Sequence, residues 1–304
     1  MPIELRWIVS TAASGLHAAA AMLQGATLAD PKMSAALAEP VQGLQSDLQG
    51  FGVETDLVFE HLIPLSVKVD SPAQLAEVTL AKLLGSQTIP GTAASFTRRL
   101  IALDAAFQQA FPRALEELEL RAGPLGGQWE ARGPGLIATV ARLTQADLIV
   151  DSADVILVQP ALGGAGAAHV FYNSVRIEAV LANPIAELPE VARLGWLLAQ
   201  LNLDLPRFQG DLPRRRLAQL GPLAMLPPVL AAAEEVELAR NNIETLAAAL
   251  SAWQAPPVEP SQLMDWWETY QAARPAWSVA LGALNRMLTP SPPNEPPKAV
   301  PDSE

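Results

Sequence analysis

Hydrophobic positions recur along most of this chain at spacings of three and four, the period of a helix with one buried face. Met33, Leu37, Val41, Leu44, Leu48 and Phe51 form one such stripe, with Asp30 placed to cap it and Pro31 at its first turn. Pro40 is expected to bend or divide that helix. Ser71-Pro72-Ala73-Gln74 forms a capping box ahead of Leu75, Val78, Leu80, Leu83 and Leu84, and Gly85 closes the run. Phe96, Leu100, Leu103, Phe107 and Phe111 predict another helix, from Thr92 to about Leu115. Ile8 to Leu23 reads as an N-terminal helix. The same stretch also has features of a signal peptide, with Arg6 ahead of it and Thr27-Leu28-Ala29 behind, but Glu4 and several polar residues dilute that pattern.

Period-two alternation is confined to a few places. Leu65, Val67 and Val69 alternate with Ser66 and Lys68 and predict a short strand. The character changes near residue 116, where Leu118 and Leu120 alternate with charged residues. The chain then passes through Gly123-Pro124-Leu125-Gly126-Gly127, a strand-like Trp129-Glu130-Ala131-Arg132, and Gly133-Pro134-Gly135. A short helix is expected next, over 136–143. Val155–Val158 is a compact apolar run stopped by Pro160, and Val175, Ile177 and Ala179 alternate with Arg176 and Glu178. Two half-buried strands joined across Gly163-Gly164-Ala165-Gly166 predict a hairpin-like sheet. From Pro189 onward the pattern is helical again: a stripe from Val191 to Leu201, an Ala-rich helix opened by Pro227-Pro228 and running to about Trp253, and a last helix from Ser261 to Leu288 bent at Pro275. No internal repeat of solenoid period is present.

These elements give an α+β, helix-dominated fold class, with a small mixed or antiparallel sheet in the middle of the chain packed by helices from both ends. Residues 1–289 read as a single domain, with a sub-boundary near residue 90 as the alternative. Residues 290–304, of which six are Pro, read as a disordered tail.

Composition narrows the chemistry more than any motif does. The chain is 50% hydrophobic and 17% charged, with a formal charge of −12, so an electropositive surface that tracks nucleic-acid phosphates is not expected. Ala (53) and Leu (46) dominate, as a helical core requires. No uninterrupted apolar run is long enough to be read as a membrane span. With no Cys there is no disulfide frame, thiolate metal site or cysteine nucleophile. His17, His61 and His169 are isolated from one another, no Glu-x-x-His occurs, and there is no Gly-Lys pair for a P-loop and no Gly-x-Ser-x-Gly elbow. No metal site and no cofactor is therefore expected. Asp147, Asp151 and Asp154 read as turn caps rather than cation ligands.

One stretch has the makings of a site. Gly163, Gly164 and Gly166 let backbone amides approach a ligand, with His169, Tyr172 and Asn173 a few residues beyond. As a dinucleotide fingerprint it fails, because the glycines lead into a strand rather than a helix N-terminus. If the sheet gathers the neighbouring stretches, His169, Glu130 and Glu178 are candidate acid–base groups, and Arg132 and Arg176 candidate ligand-binding groups. The alternative is cross-strand ion pairing on a sheet face. The strand and the helix Leu188–Leu201 after it resemble the layout of zinc-dependent peptidases, but the corresponding helix face, Arg193-Leu194-Gly195-Trp196-Leu197, carries no ligand. That analogy implies at most a metal-free relative.

Two function classes stand. The favoured one is a non-enzymatic, cytoplasmic protein that binds a protein partner or self-associates through helix faces such as those of Trp266, Trp267 and Trp277, although the clustering of these rings reads first as inter-helix packing. The alternative is a small-molecule binder or enzyme centred on Gly163–His169.

Overall fold

The computed structural model describes residues 3–85 and 91–289; the predicted boundary near 90 adjoins the gap between these ranges, and the Pro-rich tail lies outside them. The first element is a strand, β1 (Glu4–Val9), in which Leu5, Trp7 and Val9 alternate with Glu4, Arg6 and Ile8. In the sequence it is hidden by the apolar run that continues into helix α1 (Thr11–Leu23), which Ser10 caps through its side chain. Four more helices come next: α2 (Pro31–Phe51), α3 (Thr55–Leu65), α4 (Pro72–Leu84) and α5 (Thr92–Ala110). Asp30 and Ser71 cap α2 and α4 as expected, and Pro40 lies inside α2 without dividing it.

The strand expected over 65–69 does not form. The N–H groups of Ser66, Lys68 and Val69 bond back to the carbonyls of Leu62 and Leu65, so this backbone is satisfied locally at the end of α3. The larger correction concerns 114–143, which is one helix, α6. Its buried positions, Leu118, Leu125, Trp129, Leu136, Val140 and Leu143, keep helical spacing straight through the Gly-Pro segments. Pro124 and Pro134 are exposed, so the carbonyls they leave unpaired face water. Gly133 has a packing reason: a Cβ there would lie 2.3 Å from the Trp129 ring.

Three strands then complete the sheet: β2 (Ser152–Val158), β3 (Gly166–His169) and β4 (Ser174–Glu178). The order is β1-β2-β4-β3. β1, β2 and β4 are parallel, and only β3 runs antiparallel, against β4. The two strands expected to form a hairpin across the glycine loop, β2 and β4, are neighbours but run parallel, and it is the short β3 between them in sequence that pairs antiparallel with β4, on its other edge. The remaining helices are α7 (Glu190–Leu198), α8 (Pro206–Gln209), α9 (Arg214–Glu235), α10 (Ile243–Ala252), α11 (Pro260–Ala273) and α12 (Trp277–Met287). Pro227 and Pro228 sit inside α9 rather than opening a helix, and Asn242 caps α10 separately. Arg274, in a left-handed conformation, separates α11 from α12. Of the described helices, α9 is long and apolar enough to cross a membrane by length and composition, and 78% of its apolar window is buried inside the fold.

Helices cover both faces of the sheet. Ala153, Val155, Leu157, Val175 and Ile177 join the core built with α6, α7 and α9–α12. Ile156 and Val158, of opposite parity, join the core of α1–α5. This helix-dominated α+β arrangement places residues near both ends of the chain against one small sheet. Trp266, Trp267, Tyr270 and Trp277 lie inside the first core with ring centroids 5.1–6.3 Å apart. They form packing, not an exposed apolar face.

Candidate functional site

Because α1 and α3 cover the second face of the sheet, His169, Ser174 and Glu178 are buried beneath them and Arg176 is half-buried. On β4, Ser174, Arg176 and Glu178 alternate with Val175 and Ile177 and share the parity of Asp154 and Ile156 on β2. On β3, Ala167 and His169 stand opposite Arg176 and Ser174. The alternation read from the sequence is correct, but its polar side does not face water.

Glu178 organises the glycine loop. Its side chain is fully buried and accepts from the backbone N–H groups of Ala161 (2.8 Å) and Leu162 (2.7 Å) on Oε1, and of Gly164 (2.6 Å) and Ala165 (3.0 Å) on Oε2. Gly163 and Gly164 have φ of 82° and 140°, values that aim successive amides at one anion and that L side chains rarely adopt. The loop is thus an anion cradle, and the protein's own carboxylate occupies it. His17, from the buried helix α1, donates from Nε2 to Oε1 at 2.6 Å. Burial opposes the charge on Glu178, but His17 and the amides of Gly164 and Ala165 outweigh it and hold the carboxyl down to about 2. Burial, then the nearby Arg176 charge, pushes His17 down to about 4, so it is neutral at neutral pH.

Arg193 secures the same loop from the other side of the sheet. It is fully buried in α7 and donates to the carbonyls of Ala165 (2.5 Å) and Glu178 (2.8 Å), while pairing with Glu190. Gly166 allows this close approach of α7: a Cβ there would meet Leu197 at 2.6 Å.

The third group is less satisfied. His169, 2% exposed, donates from Nδ1 to Glu60 Oε2 on α3 at 2.8 Å, because a carboxylate can only accept. His169 Nε2 has no partner among the described residues. Glu60 Oε1, Ser174 Oγ and Arg176 Nε are likewise buried without a partner there. Arg176 makes no hydrogen bond or ion pair with the described residues, although the side chain lies deep against the sheet and keeps some solvent-accessible surface. Burial lowers its pKa to about 10, against the pull of Glu60 and Glu178, so it remains a cation. Beside this group His61 bonds the Tyr172 hydroxyl through Nδ1 at 2.7 Å and stacks on half-exposed Phe171. Lys68 and Lys82 lie near the Tyr172 ring.

The structure therefore brings together His169, Glu178, Arg176, Gly163, Gly164, Gly166 and Tyr172. Asn173 turns the chain into β4 with φ 49° and donates to the Ser152 carbonyl, a structural role. Glu130 and Arg132 do not belong here. Both are exposed on α6, where Arg132 reaches the Val236 carbonyl, because residues 129–132 are helix and not strand. Asp147 and Asp154 pair with Arg207 and Arg6. Among the described residues no group of side chains has the makings of a metal site. His17, Glu60, Ser174 and Arg193 are site residues that the sequence did not single out. Arg193 carried one signal, a lone cation inside the otherwise apolar stretch from Val191 to Leu201. No protein-family model matches the chain, and neither a curated protein nor a solved structure matches it.

The His17–Glu178 pair makes the fold acid-labile. His17 is held below its ordinary value of 6.5, so the unfolded chain binds the extra proton first. The stability this contributes is present above pH 6.5 and lost as pH falls toward 4. Glu178 then removes more between 4.5 and 2. We expect His17→Gln, which keeps a donor for Glu178, to flatten the loss of stability between pH 6.5 and 4. Urea denaturation across that range measures it; wild type and variant with the same slope would exclude His17 as the titrating group. The comparison with the variant is needed because half-buried His61 is shifted in the same direction.

Proposed function

We propose that the protein binds a small ligand bearing a carboxylate or phosphate at the solvent-accessible part of the Arg176 side chain, on the β3–β4 face of the sheet beside α3. One observation carries this reading: Arg176 is a half-buried, charged guanidinium that makes no side-chain hydrogen bond or ion pair with the described residues. A half-buried guanidinium whose Nε has no hydrogen-bond partner has lost part of its hydration without replacement, and an anion at its accessible nitrogens would offset that cost. The planar fork of Arg suits a carboxylate or phosphate. The glycine loop acts indirectly, as the rigid support that Glu178 and Arg193 hold in place behind β4. The assembly reading relied on helix faces whose Trp residues lie in the core.

The test is a thermal-shift screen of the wild type and Arg176→Gln against carboxylates, amino acids included, and phosphate monoesters. A ligand at 100 times its Kd stabilises by about 2.7 kcal/mol, a readable rise in Tm. The expected result is a rise with at least one anion that disappears in Arg176→Gln. No rise with any anion, or the same rise in the variant, overturns the reading.

A further inference from the structure

The two edges of the sheet are finished differently. β3 is four residues long, and α7 packs against it. β1 is six residues long, pairs with β2 without a bulge, contains no proline, and carries Leu, Trp, Ile and Val around Glu4 and Arg6. The Glu4 N–H donates to the Asp151 carbonyl, so the backbones of Glu4, Arg6 and Ile8 face β2, and those of Leu5, Trp7 and Val9 face outward. No described residue forms a hydrogen bond with the outward N–H and C=O groups of these three. Leu5, Trp7 and Val9 keep solvent-accessible surface, Glu4 is exposed, and the Arg6 side chain is 66% exposed. A row of free backbone groups of this kind is a template for another strand.

The charges on β1 suit a second copy of itself. In an antiparallel pair the outward residues of one strand oppose the outward residues of the other, so the allowed registers differ by steps of two residues. With Leu5 opposite Leu5 of the second copy, Glu4 falls opposite Arg6 on both sides of the two-fold axis. One step in either direction sets Glu4 against Glu4, or Arg6 against Arg6. Like charges directly opposite destabilise a strand pair and opposite charges support it. Glu4 has no ion pair with the described residues, and Arg6 gives Nε and Nη2 to Asp154, which leaves Nη1 for another carboxylate. Lys68 also reaches Asp154, at 3.3 Å. The row Lys68, Asp154, Arg6 and Glu4 of the second copy then alternates in charge. On the other face of the strand Trp7 falls opposite Ile3, an aromatic ring against a β-branched side chain.

We propose that two copies of the protein join edge to edge through β1, antiparallel with Leu5 on the two-fold axis, into one continuous eight-stranded sheet. Main-chain hydrogen bonds supply the attachment, and the Glu4–Arg6 pairs fix the register. This surface is separate from the Arg176 site, which lies on β4 with β2 in between.

Sedimentation equilibrium of the full-length wild type over a range of concentrations should give a dimer of twice the chain mass. Leu5→Pro removes an outward N–H but none of the bonds to β2, and it should leave a monomer with unchanged circular dichroism. Glu4→Arg, at an exposed position, sets like charge against Arg6 of the second copy and should raise the dimer dissociation constant at least about 10-fold. The chain has no Cys, so single cysteines report the register. Leu5→Cys should form an intermolecular disulfide on mild oxidation, whereas Val9→Cys, about 27 Å from its counterpart in this register, should not. A wild type that stays monomeric at every concentration overturns the proposal. So does a dimer that either Leu5→Pro or Glu4→Arg leaves at wild-type affinity, or a Val9→Cys disulfide that forms as readily as that of Leu5→Cys. Should Leu5→Pro fail to fold, Glu4→Arg and the two cysteine variants decide.

Discussion

Glu178→Gln should remove about 3–5 kcal/mol of folding stability. The carboxylate is the common acceptor for four backbone amides of one loop and for His17, and its burial is complete. Gln has the same shape but only one acceptor oxygen, and its NH2 would point a donor at two N–H donors. The amides of Ala161, Gly164 and Ala165 cannot turn to water, because these residues are buried. The loss is therefore the desolvation cost of several unpaired groups and not the strength of one bond. Urea or guanidinium unfolding followed by circular dichroism measures it, and a loss below about 1 kcal/mol would show that the loop has other ways to satisfy its amides. A stability of about 5–15 kcal/mol is ordinary for a folded domain, so this one change is enough to leave a marginal protein largely unfolded.

Arg193→Met should cost a similar amount, about 3–5 kcal/mol, for the complementary reason. Met keeps much of the volume of the side chain in α7 but gives no donor to the carbonyls of Ala165 and Glu178, and it leaves Glu190 buried beside an apolar group. Burial already raises the Glu190 pKa, and the Arg193 charge is what opposes that rise. Removing the acid as well should recover part of the loss, so Arg193→Met with Glu190→Gln should be more stable than Arg193→Met alone. The double-mutant cycle measures the coupling. A double variant no better than the single would mean that the two carbonyls, and not the unpaired carboxylate, account for the cost. Together the two substitutions test whether Glu178 and Arg193 clamp the loop from opposite faces of the sheet.

Several elements are legible without coordinates because their signals are local. The α2, α4 and α5 stripes have matching caps or breakers within a few residues, and β2 and β4 alternate or run apolar over the length of a strand. Helix α6 is not legible, because five glycines and two prolines outweigh its stripe when propensities are read locally. Only packing against α7 and α9 shows that the prolines face water and that Gly133 makes room for Trp129. Strand β1 is lost in a similar way, merged with the alanines of α1.

Part of the site can be read in the same terms. Gly163, Gly164, His169, Arg176 and Glu178 fall within sixteen residues of chain and form two strands and a loop, so their proximity is a matter of local geometry. Their partners lie far away in sequence: His17 is 161 residues from Glu178, and Glu60 is 109 residues from His169.

By itself, then, the sequence determined a helix-dominated α+β fold, the strands at the middle of the chain, and a chemistry without thiols or clustered histidines. Tertiary structure decided what the polar residues of those strands do. Alternation says that Arg176 and Glu178 share one face of β4, but not whether that face meets water or another layer. Parallel pairing of β1, β2 and β4 places helices on both sides, and the second layer, α1–α5, comes from the first third of the chain. Burial under that layer turns an ordinary charged strand into a clamped loop beside a cation without a partner among the described residues.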